Sequence, residues 1–349
     1  MIGLSARSVQ ASTERAFRLP PLSIPIGVGL LIGALLAAIS FGTSDIAFSA
    51  IVAELVDAVP GIRVESGLTD SQRSILWQWR LPRAVLGALV GSSLALGGAT
   101  YQGVFRNPLA DPYLLGVAAG AGLGATIAIV SGADQGWGPI HPVPIAAFVG
   151  GMIAIGASAG VGFGVSRSPG SLLLAGVAVA SFLTAVQTYV MQRNTDILVE
   201  VYTWILGRLG TFGWTEVIIL APYVAVCSAV ILMLRRQLDV MQLGDDEAVA
   251  LGVPVVRVRI LLVVAASLLA AAAVAVSGLI AFVGIIVPHF VRLTVGSNYR
   301  TVLPLSAIGG ATFLVLADIG ARNLTSGAEL PIGVVTAFFG APFFACVMW

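Results

Sequence analysis

Lysine is missing from this sequence: all 18 basic residues are arginine. Without lysine there is no Schiff-base amine, no tuned amine base and no residue to complete a G-x-x-x-x-G-K-[ST] phosphate loop. If ATP drives any process here, the Mg-ATP site must lie on another polypeptide, and no cofactor is expected on this chain. Only two cysteines occur, Cys227 and Cys346, far apart in apolar segments. They argue against a disulfide framework or a redox pair, because a free buried cysteine behaves as a small hydrophobe. The two histidines, His141 and His289, have no cysteine or carboxylate at ligand spacing, which argues against a dedicated metal site. Charge is also scarce, at 10% of residues, where a water-soluble globule carries about 25%. A net charge of +1 supplies no concentrated basic field for nucleic acid.

What is present is apolar. Hydrophobic residues make up 58% of the 349, so the solvent for most of the chain is lipid. The 41 glycines suit membrane helices that pack backbone to backbone. The spacing predicts an all-α integral membrane protein, a tightly packed, glycine-rich bundle of about ten transmembrane helices in one domain spanning 1–349. Residues 1–23 are polar and the first apolar run follows at 24–41. A signal peptide ending near 38–40 is the alternative to a retained first span, which the many later spans favour. Further apolar runs, of the length that crosses about 30 Å of hydrocarbon, begin near Leu81, Tyr113, Val143, Ser171, Thr215, Val258, Leu279, Val302 and Ile332. The join near Ser277 and Gly278 makes the eighth span short. If spans two to five matched seven to ten, the odd offset would make an inverted repeat.

An even count puts both termini on one side. With that side cytoplasmic, eleven of the 18 arginines fall inside, as the positive-inside rule requires, and eleven of the 17 acids fall outside. The expected location is therefore a cell (inner or plasma) membrane. Two glycine stripes, Gly116-Gly120-Gly124 and Gly156-Gly160-Gly164, each predict a close helix approach.

The one longer inner loop, 235–257, carries Asp245, Asp246 and Glu247 in a first helical turn, with Gly252 and Pro254 as stop signals. A short helix follows, whose Ala248 and Leu251 form an apolar face while the acids stay in water. Such a helix suits a groove on a cytosolic partner, or serves as an amphipathic connector. Ser181, Thr184 and Thr188 form a mildly polar stripe in the fifth span, which either lines a pathway or bonds its own helix carbonyls.

Five segments together resemble the FecCD family of permeases. They are Leu-Gly-x-x-x-Ala-x-x-Leu-Gly at 243–252, Arg-Leu-Pro-Arg at 80–83, the stretch 101–116 around Asn-Pro-Leu-Ala-Asp-Pro, Phe-Val-Gly-Ile-Ile-Val-Pro-His at 282–289 with Arg292, and Glu-Leu-Pro-Ile-Gly-Val-Val-Thr at 329–336. The resemblance covers nearly the whole chain. It implies an ATP-binding-cassette importer moving an iron-siderophore, with haem or cobalamin as alternatives. Its implied partners are a second permease copy or close paralogue, two cytosolic ATPases, an extracytoplasmic binding protein and membrane lipid. It further implies ATPase coupling through Gly244, Asp245, Asp246, Glu247, Ala248, Leu251 and Gly252. Arg80, Arg83 and Arg322 would meet acids of the binding protein. Anchoring at lipid headgroups is the alternative for Arg80 and Arg83, and a helix pair with Asp318 the alternative for Arg322. Ser181, Thr184 and Thr188 would line the translocation pathway. Ser168, Pro169, Gly170 and Ser171 would occupy the inner gate loop. His289 is expected to make a structural hydrogen bond. An ion-coupled carrier or an intramembrane enzyme fits less well, because the spans hold few carboxylates and no nucleophile-base pair.

Overall fold

The apolar runs become helices, with short polar turns between them. The computed structural model describes residues 22–42, 44, 46–132, 141–165, 169–211, 213–324 and 329–347. The described helices are α1 (Ser23–Ser40), α2 (Phe48–Asp57), α3 (Asp70–Ser74), α4 (Leu81–Phe105), α5 (Val117–Val130), α6 (Pro142–Val165), α7 (Pro169–Arg193) and α8 (Leu198–Ile205). They continue as α9 (Thr215–Met233), α10 (Arg235–Met241), α11 (Asp245–Ala250), α12 (Val255–Ser277), α13 (Val283–Val295), α14 (Tyr299–Asn323) and α15 (Ile332–Val347). A π-helical turn, Ile75–Arg80, joins α3 to α4. Thr69 starts α3 through a reciprocal capping box with Gln72.

Seven of these helical segments are long and apolar enough to cross a membrane: α1, α3 with α4, α6, α7, α9, α12 and α14. Helices α5, α13 and α15 are apolar but shorter. The apolar runs near 113 and 279 thus outlast their helices, which begin only at Val117 and Val283. The cause is local. Gly116 and Phe282, the residues before them, hold left-handed backbone (φ 80° and 71°), which ends any helical path arriving from the amino-terminal side. For a bulky residue that conformation is unusual, and the Phe282 ring is pinned under Gly340 of α15, where a Cβ would overlap it.

The two turns that precede α5 and α13 meet inside the bundle. Tyr113 donates its hydroxyl hydrogen to the Ile280 carbonyl at 2.9 Å and accepts from the Ile280 amide at 3.2 Å. Gln102 of α4 donates to the carbonyls of Gly284 (2.9 Å) and Ala110 (3.3 Å). Non-helical backbone at this depth is stable only because such partners replace water. A five-span offset pairs α4 with α12 and α5 with α13, and each pair shares a trait: the first is buried, the second short with a left-handed start.

Helix α4 is the axis of the molecule. It packs on α14, α12, α13 and α9, while α5, α6 and α7 form a second group joined to it through α12. Its most apolar stretch is 78% buried, against 22% for α7 and 17% for α1. Glycines permit the central contacts: a Cβ on Gly98 would overlap the Gly284 backbone, and one on Gly91 the Gly310 carbonyl. Of the two predicted stripes, Gly120 and Gly124 do abut Gly150 and Ala146 of α6. The other stripe departs from expectation. Gly156, Gly160 and Gly164 have nothing within 4 Å and lie on the outer face of α6.

Candidate functional site

At the end of the bundle where α4 finishes, the 235–257 segment holds the short helix expected at its centre, α11, and a second one before it, α10, where a loop was expected. Gly244, at φ 143°, precedes α11. The helix ends in paired bonds from the Val253 amide to the Ala248 carbonyl and from Gly252 to Val249, both 2.9 Å, with Gly252 in the left-handed region at φ 84°. That closure is the Schellman arrangement, which glycine adopts without strain.

Helix α11 is anchored by charge. Asp245 accepts from Arg259 of α12 at 2.8 Å and is ion-paired with Arg106, the left-handed residue that ends α4. Burial pushes the Asp245 carboxyl up, but Arg259 and Arg106 outweigh it and hold it below the ordinary carboxylate range. Arg106 also donates from Nε to the Met241 carbonyl at 2.8 Å, and Gln242 donates to the Gly103 carbonyl at 3.0 Å. Asp239 of α10 accepts the Tyr299 amide at 2.7 Å, which ties the same unit to the start of α14. Burial raises the Asp239 carboxyl.

Two expectations change here. Ala248 is fully buried and packs into the core, so it belongs to no external face. Asp245 is half-buried in its ion pairs, and only Asp246 and Glu247 remain in water. The outward apolar surface consists of Leu251 (64% exposed), Val249 and Leu243. The reason is geometric. A six-residue helix lying on the bundle must turn one side inward, and the two arginines select the side that carries Asp245.

At the opposite end, where α4 begins, the three expected arginines form one cluster. Arg80 is only 6% exposed. It donates from Nη1 to the carbonyls of Ile39 (2.9 Å) and Ser40 (3.1 Å) and from Nη2 to that of Ser44 (2.5 Å). Its guanidinium therefore satisfies carbonyls left open at the end of α1, which corrects the expectation of a free outer arginine. Arg322 reaches the same helix end, donating to Phe41 (3.3 Å) and Ala38 (3.2 Å), and pairs with Asp318 at 3.1 Å. The i to i+4 pair weighed as its alternative is thus present. Arg83 grips Asp318 through Nε and Nη2, at 3.1 and 2.9 Å, and forks onto Glu329 through Nη1 and Nη2, at 3.0 and 2.8 Å. The Asp318 side chain is 4% exposed and that of Glu329 57%. Breaking the buried pair costs about 3–5 kcal/mol. A wet pair such as Arg83 with Glu329 contributes only about 0–1 kcal/mol.

Arg80→Met is expected to lower stability by roughly 3 kcal/mol, because several buried carbonyls lose their donor. A thermal melt of the purified protein that matches wild type would refute this structural role.

Farther out on the same side, Glu54 accepts from Arg73 Nε at 2.8 Å, Trp77 at 3.2 Å and Ser66 at 2.5 Å, pinning α2 to the π-helical turn. The Arg73 bond leads the causes that hold the Glu54 carboxyl below its ordinary value.

Ser181, Thr184 and Thr188 lie together on the exposed face of α7. Two of these hydroxyls bond carbonyls one turn back, Ser181 to Val177 at 2.8 Å and Thr188 to Thr184 at 2.9 Å. Of the gate residues, Ser168 lies outside the described residues, while Pro169, Gly170 and Ser171 form the first turn of α7 rather than a loop. Proline at a helix start explains the boundary, since its missing N–H is unpaired there in any case. The His289 ring meets Phe343 edge to face at 6.2 Å, and no hydrogen bond to that ring is found among the described residues.

Arg106, Arg259, Asp239, Asp318 and Glu329 were not singled out as functional from sequence. The available signals were the four-residue spacing of Asp318 and Arg322 and the places of Arg106 and Glu329 within the segments 101–116 and 329–336.

The chain matches known proteins over most of its length. The chain is 42% identical over 282 residues to the cobalamin import system permease protein of Halobacterium salinarum, covering 80% of this chain and 75% of that protein. It is 35% identical to a Fe(3+)-citrate import system permease protein of Bacillus subtilis, over 95% of this chain and 96% of the relative. It is 38% identical to the hemin transport system permease protein of Yersinia pestis, over 79% and 83%. A solved structure described as an inward-facing, metal-chelate type ABC transporter superposes with a TM-score of 0.81 at 30% identity, covering 94% of this chain and 99% of the other. The model of the FecCD transport family matches residues 30–349, so this multi-pass membrane protein belongs to that family of ABC transporter permeases.

Proposed function

We propose that this chain is the permease of an importer that carries a preformed iron-siderophore inward, with ATP, as Mg-ATP, hydrolysed on two separate cytosolic subunits and substrate delivered by an extracytoplasmic binding protein. The observation that carries the reading is the anchoring of α11. Its charged side is bound through Asp245 to the ends of α4 and α12, while Val249 and Leu251 face outward. A push on that surface is delivered to the two most buried helices of the bundle. That is what a permease coupled to an external motor requires.

In this reading α5, α13 and α15 complete ten spans, both termini are cytoplasmic, and α11 lies inside the cell. A second copy, or a close paralogue, covers the apolar face of α7, where Leu174 and Phe182 are among the most exposed side chains. The hydroxyls of Ser181, Thr184 and Thr188 then face the passage, already bonded to their own helix and so able to let a bulky chelate slide without holding it. Pro169, Gly170 and Ser171 open the helix at its inner gate. The iron relatives and the cobalamin and haem relatives frame the choice of cargo.

The test is uptake into proteoliposomes holding the permease, its ATPase and its binding protein. Ferric siderophore should enter only with ATP, and the permease alone should hydrolyse none, having no phosphate loop and no lysine. Hydrolysis by the isolated chain, or ATP-independent uptake, would overturn the proposal. Preferential uptake of haem or cobalamin would keep the machinery and replace the cargo.

A further inference from the structure

We propose that Glu329 is a built-in stand-in for the binding protein: docking replaces the Glu329 carboxylate on Arg83 with a carboxylate from the partner, and so releases the entry to α15. The inference rests on the docking reading above and adds to it the residue that must leave.

Four observations support it. Arg83 holds two carboxylates, and they differ in burial. Asp318 is sealed and shared with Arg322, whereas more than half of the Glu329 side chain is in solvent. An incoming acid from outside can therefore reach only the Glu329 side of the fork. Second, the bond to Glu329 is the bidentate kind, two nitrogens on two oxygens, that any partner carboxylate reproduces, so the exchange conserves both charge and hydrogen bonds. Third, Arg80, Arg83 and Arg322 stand against Asp318 and Glu329, which leaves the cluster one positive charge in excess. That excess attracts an acid, and removing the Glu329 carboxylate from it strengthens the attraction.

Fourth, Glu329 sits at the root of α15. After it, Leu330 donates its amide hydrogen to the Ala321 carbonyl (3.0 Å), Ile332 to Gly207 (3.3 Å) and Gly333 to Leu206 (3.0 Å). The Arg83 pair is the one side-chain tie between this short tether and the start of α4 among the described residues. Exchanging it loosens α15 against α4 while leaving the buried Asp318 bridge, and with it α14, in place.

Affinity of the full-length permease for its cognate binding protein decides the matter, measured for wild type, Glu329→Gln, Arg83→Lys and the double variant. Arg83→Lys keeps a charge against buried Asp318, so the protein folds, but lacks the fork. Glu329→Gln is expected to tighten docking by about fivefold, the worth of one wet ion pair, with the gain shrinking as salt rises. Arg83→Lys is expected to weaken docking, and the Glu329→Gln gain should vanish in its background. If Arg83→Lys weakens docking while Glu329→Gln leaves it unchanged or weaker, the exchange is wrong and docking at Arg83 stands. If neither variant alters affinity, docking at Arg83 falls and the exchange falls with it. A Glu329→Gln gain that persists undiminished in the Arg83→Lys background would be a general charge effect and would also overturn the exchange.

Discussion

Replacing Gly98 with leucine is expected to abolish folding of the bundle, with little monodisperse protein recovered from membranes. The contact explains the size of the effect. Gly98 of α4 faces the backbone of Gly284 in α13, so even a Cβ overlaps the Gly284 carbonyl, and no side-chain rotation relieves a clash with backbone. Ordinary overpacking costs about 1–3 kcal/mol because flexible side chains give way. Here whole helices must separate, and the Gln102 bond to the Gly284 carbonyl at 2.9 Å is lost with them. An unpaired polar group then remains in an apolar interior. The matched control is Gly156→Leu, at a position with nothing within 4 Å. That substitution should leave the size-exclusion profile and thermal stability near wild type. Equal behaviour of the two variants would refute the central glycine contact.

The second large effect is expected at Leu251. Leu251→Asp places a charge at the centre of the outward apolar surface of α11, where Leu251 is 64% exposed and makes no contribution to the core. The permease should fold and reach the membrane normally. Copurification of the ATPase should fall by about tenfold or more, since truncating or charging a desolvated interface anchor costs about 2 kcal/mol or more. Transport in proteoliposomes should fall with it. Ala248→Asp is the contrasting variant: that side chain is fully buried, so its charge should destabilise the permease itself. Unchanged ATPase association by Leu251→Asp would remove this face from the contact, and loss of the folded permease would mean that Leu251 packs within the chain.

Both cases mark where pattern in the sequence stops carrying information. Gly98 and Gly156 are equivalent as letters, small residues in apolar runs. Their consequences differ because α4 is surrounded and the outer side of α6 is not. The same holds for Ala248 and Leu251, three positions apart on one predicted helix. Which of them faces outward depends on Arg106 and Arg259, which approach Asp245 from 139 and 14 residues away. Arg80 shows the reverse error: a residue placed at the surface by its chain position is buried, because the end of α1 needed donors that only a neighbouring helix supplied.

Composition and hydropathy were sufficient for the membrane setting, the helical class and the order of the apolar helices, because satisfying backbone groups in lipid leaves a chain of this apolarity few alternatives. The absence of lysine and of a G-x-x-x-x-G-K-[ST] phosphate loop is likewise read from the sequence alone, a matter of chemistry that folding cannot change. Local turn signals located α11 and its glycine stop. The burial of α4, the start of α5 and α13 inside the bundle at left-handed residues, and the division of Arg83 between a sealed and an exposed carboxylate came from three-dimensional packing. Each depends on groups brought together across long stretches of chain, where hydrogen-bond satisfaction and steric exclusion act between helices and leave no periodicity in the sequence to read.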